Sequence, residues 1–149
     1  MTIHVEEIPD YRVAVVRRIG PYGPDNKQAM EQLKHWAQEK NLLTESAILF
    51  GIAQDNPQTT SPEHCRYDAC FVISETAQLE PPIYEGVIPG GKYLVYRLQH
   101  TAEEVQKAWA TIIPYLQSNG VQIDDKPMLE RYTGELISKE MCELCVPIK

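Results

Sequence analysis

Two stretches eighty positions apart, YRVAVVRRIG (Tyr11–Gly20) and GGKYLVYRLQ (Gly90–Gln99), decide how this chain is read. Both alternate in the manner of strands. Superposing them brings Ile8-Pro9 onto Ile88-Pro89, Arg12 onto Lys92, Val15 onto Val95 and Arg17 onto Arg97. The second stretch is entered through a glycine pair suited to a bulge or tight turn.

Each strand is followed by a helical pattern. In the first helix, Met30, Leu33, Trp36 and Ala37 form an apolar stripe, and Asp25 after Pro24 is the expected N-cap. In the second, Val105, Ala108, Trp109, Ile112, Ile113 and Leu116 form the stripe. Thr101 and Glu104 have capping-box spacing, Asn119-Gly120 ends the helix, and Pro114 is expected to kink it.

The same offset carries Ala47–Ile52 onto Pro127–Tyr132, and Phe50 onto Glu130. Beyond the loop NPQTTSPEH, Cys65–Ile73 lies over Glu140–Ile148 at a shorter offset. Each half thus reads strand, helix, strand, strand. One half alone would leave a sheet face bare, so the expected architecture is α+β. In it, tandem strand-helix-strand-strand repeats are expected to form one antiparallel sheet with two main helices and a groove between the halves. The chain is expected to be one domain over 1–149, with halves of about 1–80 and 81–149.

Composition excludes several classes. The net charge is −7 and no basic segment stands out, so direct nucleic-acid binding is not expected. No apolar run is long enough to cross a bilayer, and the first residues lack the pattern of a signal peptide, so the expected location is cytoplasmic, with no membrane association. Cys142 and Cys145 form a C-x-x-C on a predicted strand, where residues three apart point to opposite faces. The histidines lack ligand spacing. Reduced, buried thiols, no metal and no cofactor are expected.

KPMLERYT (Lys126–Thr133) poses the functional question. As a strand it places Met128, Glu130 and Tyr132 on one face. That face is either wet or lines a pocket that wants one anionic group. Pairing Glu130 with Phe50 makes a core position of one half a carboxylate in the other. A register off by one makes it an exposed strand charge.

The tandem order, the Ile19-Gly20-Pro21-Tyr22 turn, Gly90-Gly91-Lys92-Tyr93, Trp109 and Leu116, the P-x-x-E-x-Y of Pro127–Tyr132 and the terminal Glu143–Ile148 together resemble the GyrI-like small-molecule-binding family. That family includes effector-binding domains of AraC-type and MerR-type regulators and stand-alone DNA gyrase inhibitory proteins. The resemblance implies a groove for bulky, often cationic and aromatic compounds, with Glu130 as its acidic centre, Pro21 as the turn proline and Trp109 as the helix tryptophan. Cys145 stands where many relatives carry a tyrosine. No helix-turn-helix segment accompanies the domain, so a complete transcription factor is not expected.

The ligand-binding residues expected on this basis are Pro21, Tyr22, Phe50, Tyr67, Tyr93, Trp109, Met128, Glu130, Tyr132 and Cys145. Aromatic faces add cation–π attraction to the carboxylate. Three functions are compatible with these residues. One is a module that binds hydrophobic or cationic small molecules. Another is a hydrolase of cyclopropane-bearing genotoxins, in which Glu130 acts as general base and Tyr132 positions the substrate. The last is a protein partner of DNA gyrase.

Overall fold

The computed structural model describes residues 3–149. The two deciding stretches form strands β2 (Tyr11–Ile19) and β6 (Gly91–Gln99). Each is preceded by a further short strand, β1 (Ile3–Ile8) and β5 (Tyr84–Ile88). The helices are α1 (Asn26–Glu39) and α2 (Ala102–Ser118). The remaining strands are β3 (Ile48–Ala53), β4 (Arg66–Val72), β7 (Leu129–Thr133) and β8 (Met141–Pro147), with a single-turn helix α3 (Gly134–Ser138) between the last two.

All eight strands join one antiparallel sheet in the order β1-β6-β8-β7-β3-β4-β2-β5. Each half therefore receives an edge strand from the other: β1 pairs with β6, and β5 with β2. The topology also forces curvature. Ile8 and Tyr11 are joined by three peptide steps, at most about 11 Å. Their strands stand six places apart in the order, roughly 29 Å in a flat sheet. The sheet curls until its two ends nearly meet, and the linkers Pro9-Asp10 and Pro89-Gly90 touch there. The Gly90 N–H donates to Asp10 Oδ1, and a Cβ at Gly90 would stand 2.6 Å from the Ile8 carbonyl oxygen.

One face of the sheet carries the helices. Ala14, Val16, Leu49, Tyr67, Ala69, Phe71, Leu98, Tyr132, Cys142 and Leu144 pack there with Ala29, Met30, Leu33 and Ala37 of α1 and Ala108 of α2. Trp36 meets Phe71 edge-on at 6.1 Å. Ile112 and Leu116 of α2 cover Leu94 and Val146. The other face closes on itself around Val13, Val15, Phe50, Ile52, Cys70, Tyr93, Val95, Leu129 and Cys145.

The α2 cap forms as its spacing predicts, with Thr101 Oγ1 accepting from the Glu104 N–H at 3.1 Å. Asn119 and left-handed Gly120 end the helix, and Pro114 lies within it. Asp25, by contrast, is already helical in φ and ψ and makes no side-chain cap. Its carboxylate faces Arg18 at 3.6 Å instead.

The register corrects the pairing of Glu130 with Phe50. Phe50 lies opposite Cys70, and Leu129 opposite Cys145, the equivalent position in the second half. Phe50 therefore corresponds to Leu129, and Gly51 to Glu130. A shift of one residue moves a strand side chain to the other face. Phe50 is fully buried away from the helices, 6.0 Å from the Tyr11 ring. Gly51 and Glu130 are also direct cross-strand partners, so they flank the local twofold axis relating the halves.

Candidate functional site

Helix α1 packs on β2 and β4, while α2 packs on β6. Between the helices runs a groove floored by β3, β4 and β7. Its wider part, about 530 Å³, is lined by Tyr22, Asn26, Gly51, Ala53, Asp55, Pro57, Tyr67, Trp109, Met128 and Glu130. It continues into an annex of about 230 Å³ along α1, lined by Asn26, Lys27, Met30, Glu31, Lys34, Tyr67, His100, Glu130 and Tyr132. Asn26, Tyr67 and Glu130 border both parts.

Glu130 is half-buried at the centre. Tyr132, two residues on and on the same face, donates its hydroxyl to Glu130 Oε2 at 2.8 Å. His100 Nε2 lies 3.3 Å from the same hydroxyl. The phenol of Tyr132 is raised by burial first and by the Glu130 charge second, and the same two causes, in the same order, raise that of Tyr67. Both stay neutral beside the carboxylate. Tyr67 reaches its place because Gly51 has no side chain, since a Cβ there would collide with the Tyr67 hydroxyl.

Asp55 on the groove, and the carboxylates Asp68, Glu143 and Glu6 on the opposite face of the sheet, have arginines. Asp68 holds Arg17 through two bonds of 2.8 and 2.9 Å, and Asp55 holds Arg66. Glu143 holds Arg131 at 3.0 Å and Arg97 at 3.4 Å, and Glu6 holds Arg131 at 2.6 Å. Among the described residues, no lysine, arginine or histidine lies within ion-pair distance of Glu130. A half-buried anion without a counter-charge favours an incoming cation.

The walls are fixed by packing and by backbone bonds. Tyr22 donates to the Arg66 carbonyl at 2.8 Å and accepts from the Asp55 N–H at 3.0 Å, so its ring stands as a rigid side of the groove. Trp109 is part-buried against the core and presents its remaining surface.

The fold thus brings together Tyr22, Tyr67, Trp109, Met128, Glu130 and Tyr132 of the expected residues. It does not bring the other four. Pro21 is exposed in the turn before Tyr22, where its carbonyl accepts from Arg18 at 2.7 Å. Phe50, Tyr93 and Cys145 pack on the opposite face, and the Tyr93 hydroxyl donates to the Pro89 carbonyl at 2.8 Å. Strand parity separates them from the groove.

Sequence reasoning missed Gly51, Asn26, Asp55, His100 and the α1 residues Lys27, Glu31 and Lys34. A glycine between Phe50 and Ile52 inside a strand is itself a signal of close approach. His100 carries no such signal, since its role depends on the β6–α2 turn placing it over Tyr132.

The comparison that decides the family covers every residue: the model of the GyrI-like small molecule binding domain matches residues 1–149. The chain belongs to the GyrI-like family. Among curated relatives of this GyrI-like domain, the SPbeta prophage-derived protein YosT of Bacillus subtilis is 41% identical over 150 residues, covering 100% of both chains. A DNA gyrase inhibitor of Serratia proteamaculans is 26% identical over 141 residues, 91% of this chain and 88% of that one. Of solved structures, the EcmrR C-terminal domain superposes with a TM-score of 0.74 at 18% identity, covering 99% of this chain and 97% of that one. The structure of SAV2435 bound to tetraphenylphosphonium gives a TM-score of 0.60 at 12% identity, over 100% and 94%. These two likenesses establish the GyrI-like fold. No helix among the described residues is long and apolar enough to cross a membrane.

Proposed function

We propose that this GyrI-like domain captures bulky amphipathic cations in the groove, with Glu130 as the anionic centre and Tyr22, Tyr67, Trp109 and Met128 as the apolar walls. The observation that carries this reading is the half-buried Glu130 carboxylate without a basic partner among the described residues. A volume of about 530 Å³ suits a drug-sized ligand, which ordinarily needs roughly 300–1,000 Å³. Aromatic faces beside the carboxylate add about 0.5–2 kcal/mol of cation–π attraction each. The tetraphenylphosphonium held by SAV2435 is a bulky aromatic cation of this class.

Hydrolysis is the second reading, and the Tyr132–Glu130 hydrogen bond favours it, because it fixes one carboxylate oxygen and leaves the other free to take a proton from water. A role as an interaction partner of DNA gyrase draws on the name of the Serratia relative and predicts activity that survives Glu130→Gln.

The test is tryptophan fluorescence during titration with tetraphenylphosphonium and with tetraphenylborate, which has nearly the same shape and the opposite charge. Saturable quenching by the cation, at least tenfold weaker in Glu130→Gln (~1.4 kcal/mol), is expected. Equal binding of both ions, or binding indifferent to Glu130→Gln, overturns the reading.

A further inference from the structure

The annex differs in chemistry from the wide groove. Five residues of α1, at positions 26, 27, 30, 31 and 34, line it as one strip. At 1.5 Å per residue the strip is about 12 Å long. One end meets Tyr22 and the wide groove through Asn26. The other carries Lys34.

Lys27 and Lys34 make no ion pair with any described residue. Glu31, which also lines the annex, offsets one of the two charges and leaves one positive charge in excess on this strip. Lys34 is half-buried, and desolvation lowers the pKa of its ammonium, with Glu31 opposing that shift. From the strands and the β6–α2 turn, Tyr67, Tyr132 and His100 face the same space, with Glu130 where annex and groove join. One cavity therefore presents an unpaired anion at its middle and an excess of cationic donors along one arm.

We propose that the annex is a second subsite, which receives an anionic arm, a carboxylate or sulfonate, on a ligand whose cationic aromatic body lies in the wide groove. The preferred ligands are then zwitterions rather than simple cations. The proposal rests on the reading of Glu130 given above for its cationic half only. An anion against Lys34 adds to the partial counter-charge of Glu31 and offsets the desolvation of the ammonium. Lys27, at the solvent edge, adds attraction on approach.

Two phosphonium probes test it: pentyltriphenylphosphonium and carboxybutyltriphenylphosphonium, which have the same aromatic body and differ by a terminal carboxylate. Both are titrated into the wild type and into Lys27→Met/Lys34→Met, whose folding is checked by thermal melting. The carboxylated probe is expected to bind the wild type at least tenfold more tightly than the pentyl probe. The double substitution removes that advantage, while the pentyl probe, a plain cation relieved of two like charges in the cavity, binds the variant at least as tightly as the wild type. Equal or weaker binding of the carboxylated probe, or an advantage that survives the double substitution, overturns the subsite.

Phenylvalerate, an anion without the cationic body, separates the two readings. If pentyltriphenylphosphonium fails to bind the wild type, the Glu130 reading falls. Saturable phenylvalerate binding lost in the double variant would then still support the annex, and no phenylvalerate binding would end it.

Discussion

A side chain at Gly51 would take the space of the Tyr67 hydroxyl. Gly51→Ala must therefore move a buried phenol, at a cost of about 1–3 kcal/mol typical of overpacking, read as a lower urea midpoint. Because the displaced ring moves within the groove, tetraphenylphosphonium affinity is expected to fall as well. The cysteines give a second residue-scale prediction. Burial pushes the Cys142 and Cys145 thiols up to about 12 and raises that of Cys70. Their thiolate fraction at pH 8 is then minute. Iodoacetamide is expected to leave these three unmodified in the folded protein and to label them once it is unfolded. Labelling of Cys142 at the rate of a free thiol would contradict its place beneath the helices.

Strand β1 is held to the second half by more than its backbone ladder. Glu6 reaches across to Arg131 in β7, and Arg131 also holds Glu143 of β8. The hydrogen bonds from Arg131 lower the Glu6 pKa from 4.5 to about 2, against the opposing effect of burial. A carboxylate lowered on folding contributes stability that is complete above its unfolded pKa and lost as pH falls through the folded one. Stability is thus expected to decline between about pH 4.5 and 2, and Glu6→Gln to flatten that decline. Chemical denaturation across this range is the measurement. Arg131→Met leaves the buried Glu143 with Arg97 alone at 3.4 Å, and a loss of about 3–5 kcal/mol is expected for breaking such a pair. The same strands show where sequence suffices. The helices and the α2 cap were legible because a 3.6-residue stripe spans many turns, and the order of the main strands because it repeats. The face of a short strand was not. Tyr93, Leu94 and Val95 are all buried, so β6 offers no alternation to say which side meets the groove. The β3 register depends on loops of different lengths in the two halves. Glu130, Tyr132, Trp109, Tyr22 and Met128 fall within the family's motifs, whereas Tyr67 lies outside them and the annex depends on how α1 lies over the sheet.

Across the whole molecule, the exchanged edge strands tie the halves into one folding unit, which we propose as the cooperative domain. Fragments 1–80 and 81–149 are expected to be largely unfolded apart and to regain strand-rich circular dichroism when mixed, since each lacks the strand that completes its sheet. Where the linkers touch, a Cβ at Gly90 would press on the Ile8–Asp10 backbone, with three of its atoms at 2.6 to 2.8 Å. Gly90→Ala is therefore expected to lower the urea midpoint, because the added Cβ can be accommodated only by moving the Pro9-Asp10 backbone. The placement of Gly51 against Glu130 has an evolutionary reading. A homodimer of identical halves would set two glutamates, or two glycines, face to face at that point. The first arrangement suffers like-charge repulsion, and the second has no charge to offer a ligand. Joining the copies in one chain frees the two positions to mutate independently, so that one gene can encode a lone anion opposite a glycine that makes room for the Tyr67 hydroxyl, which no pair of identical subunits could supply.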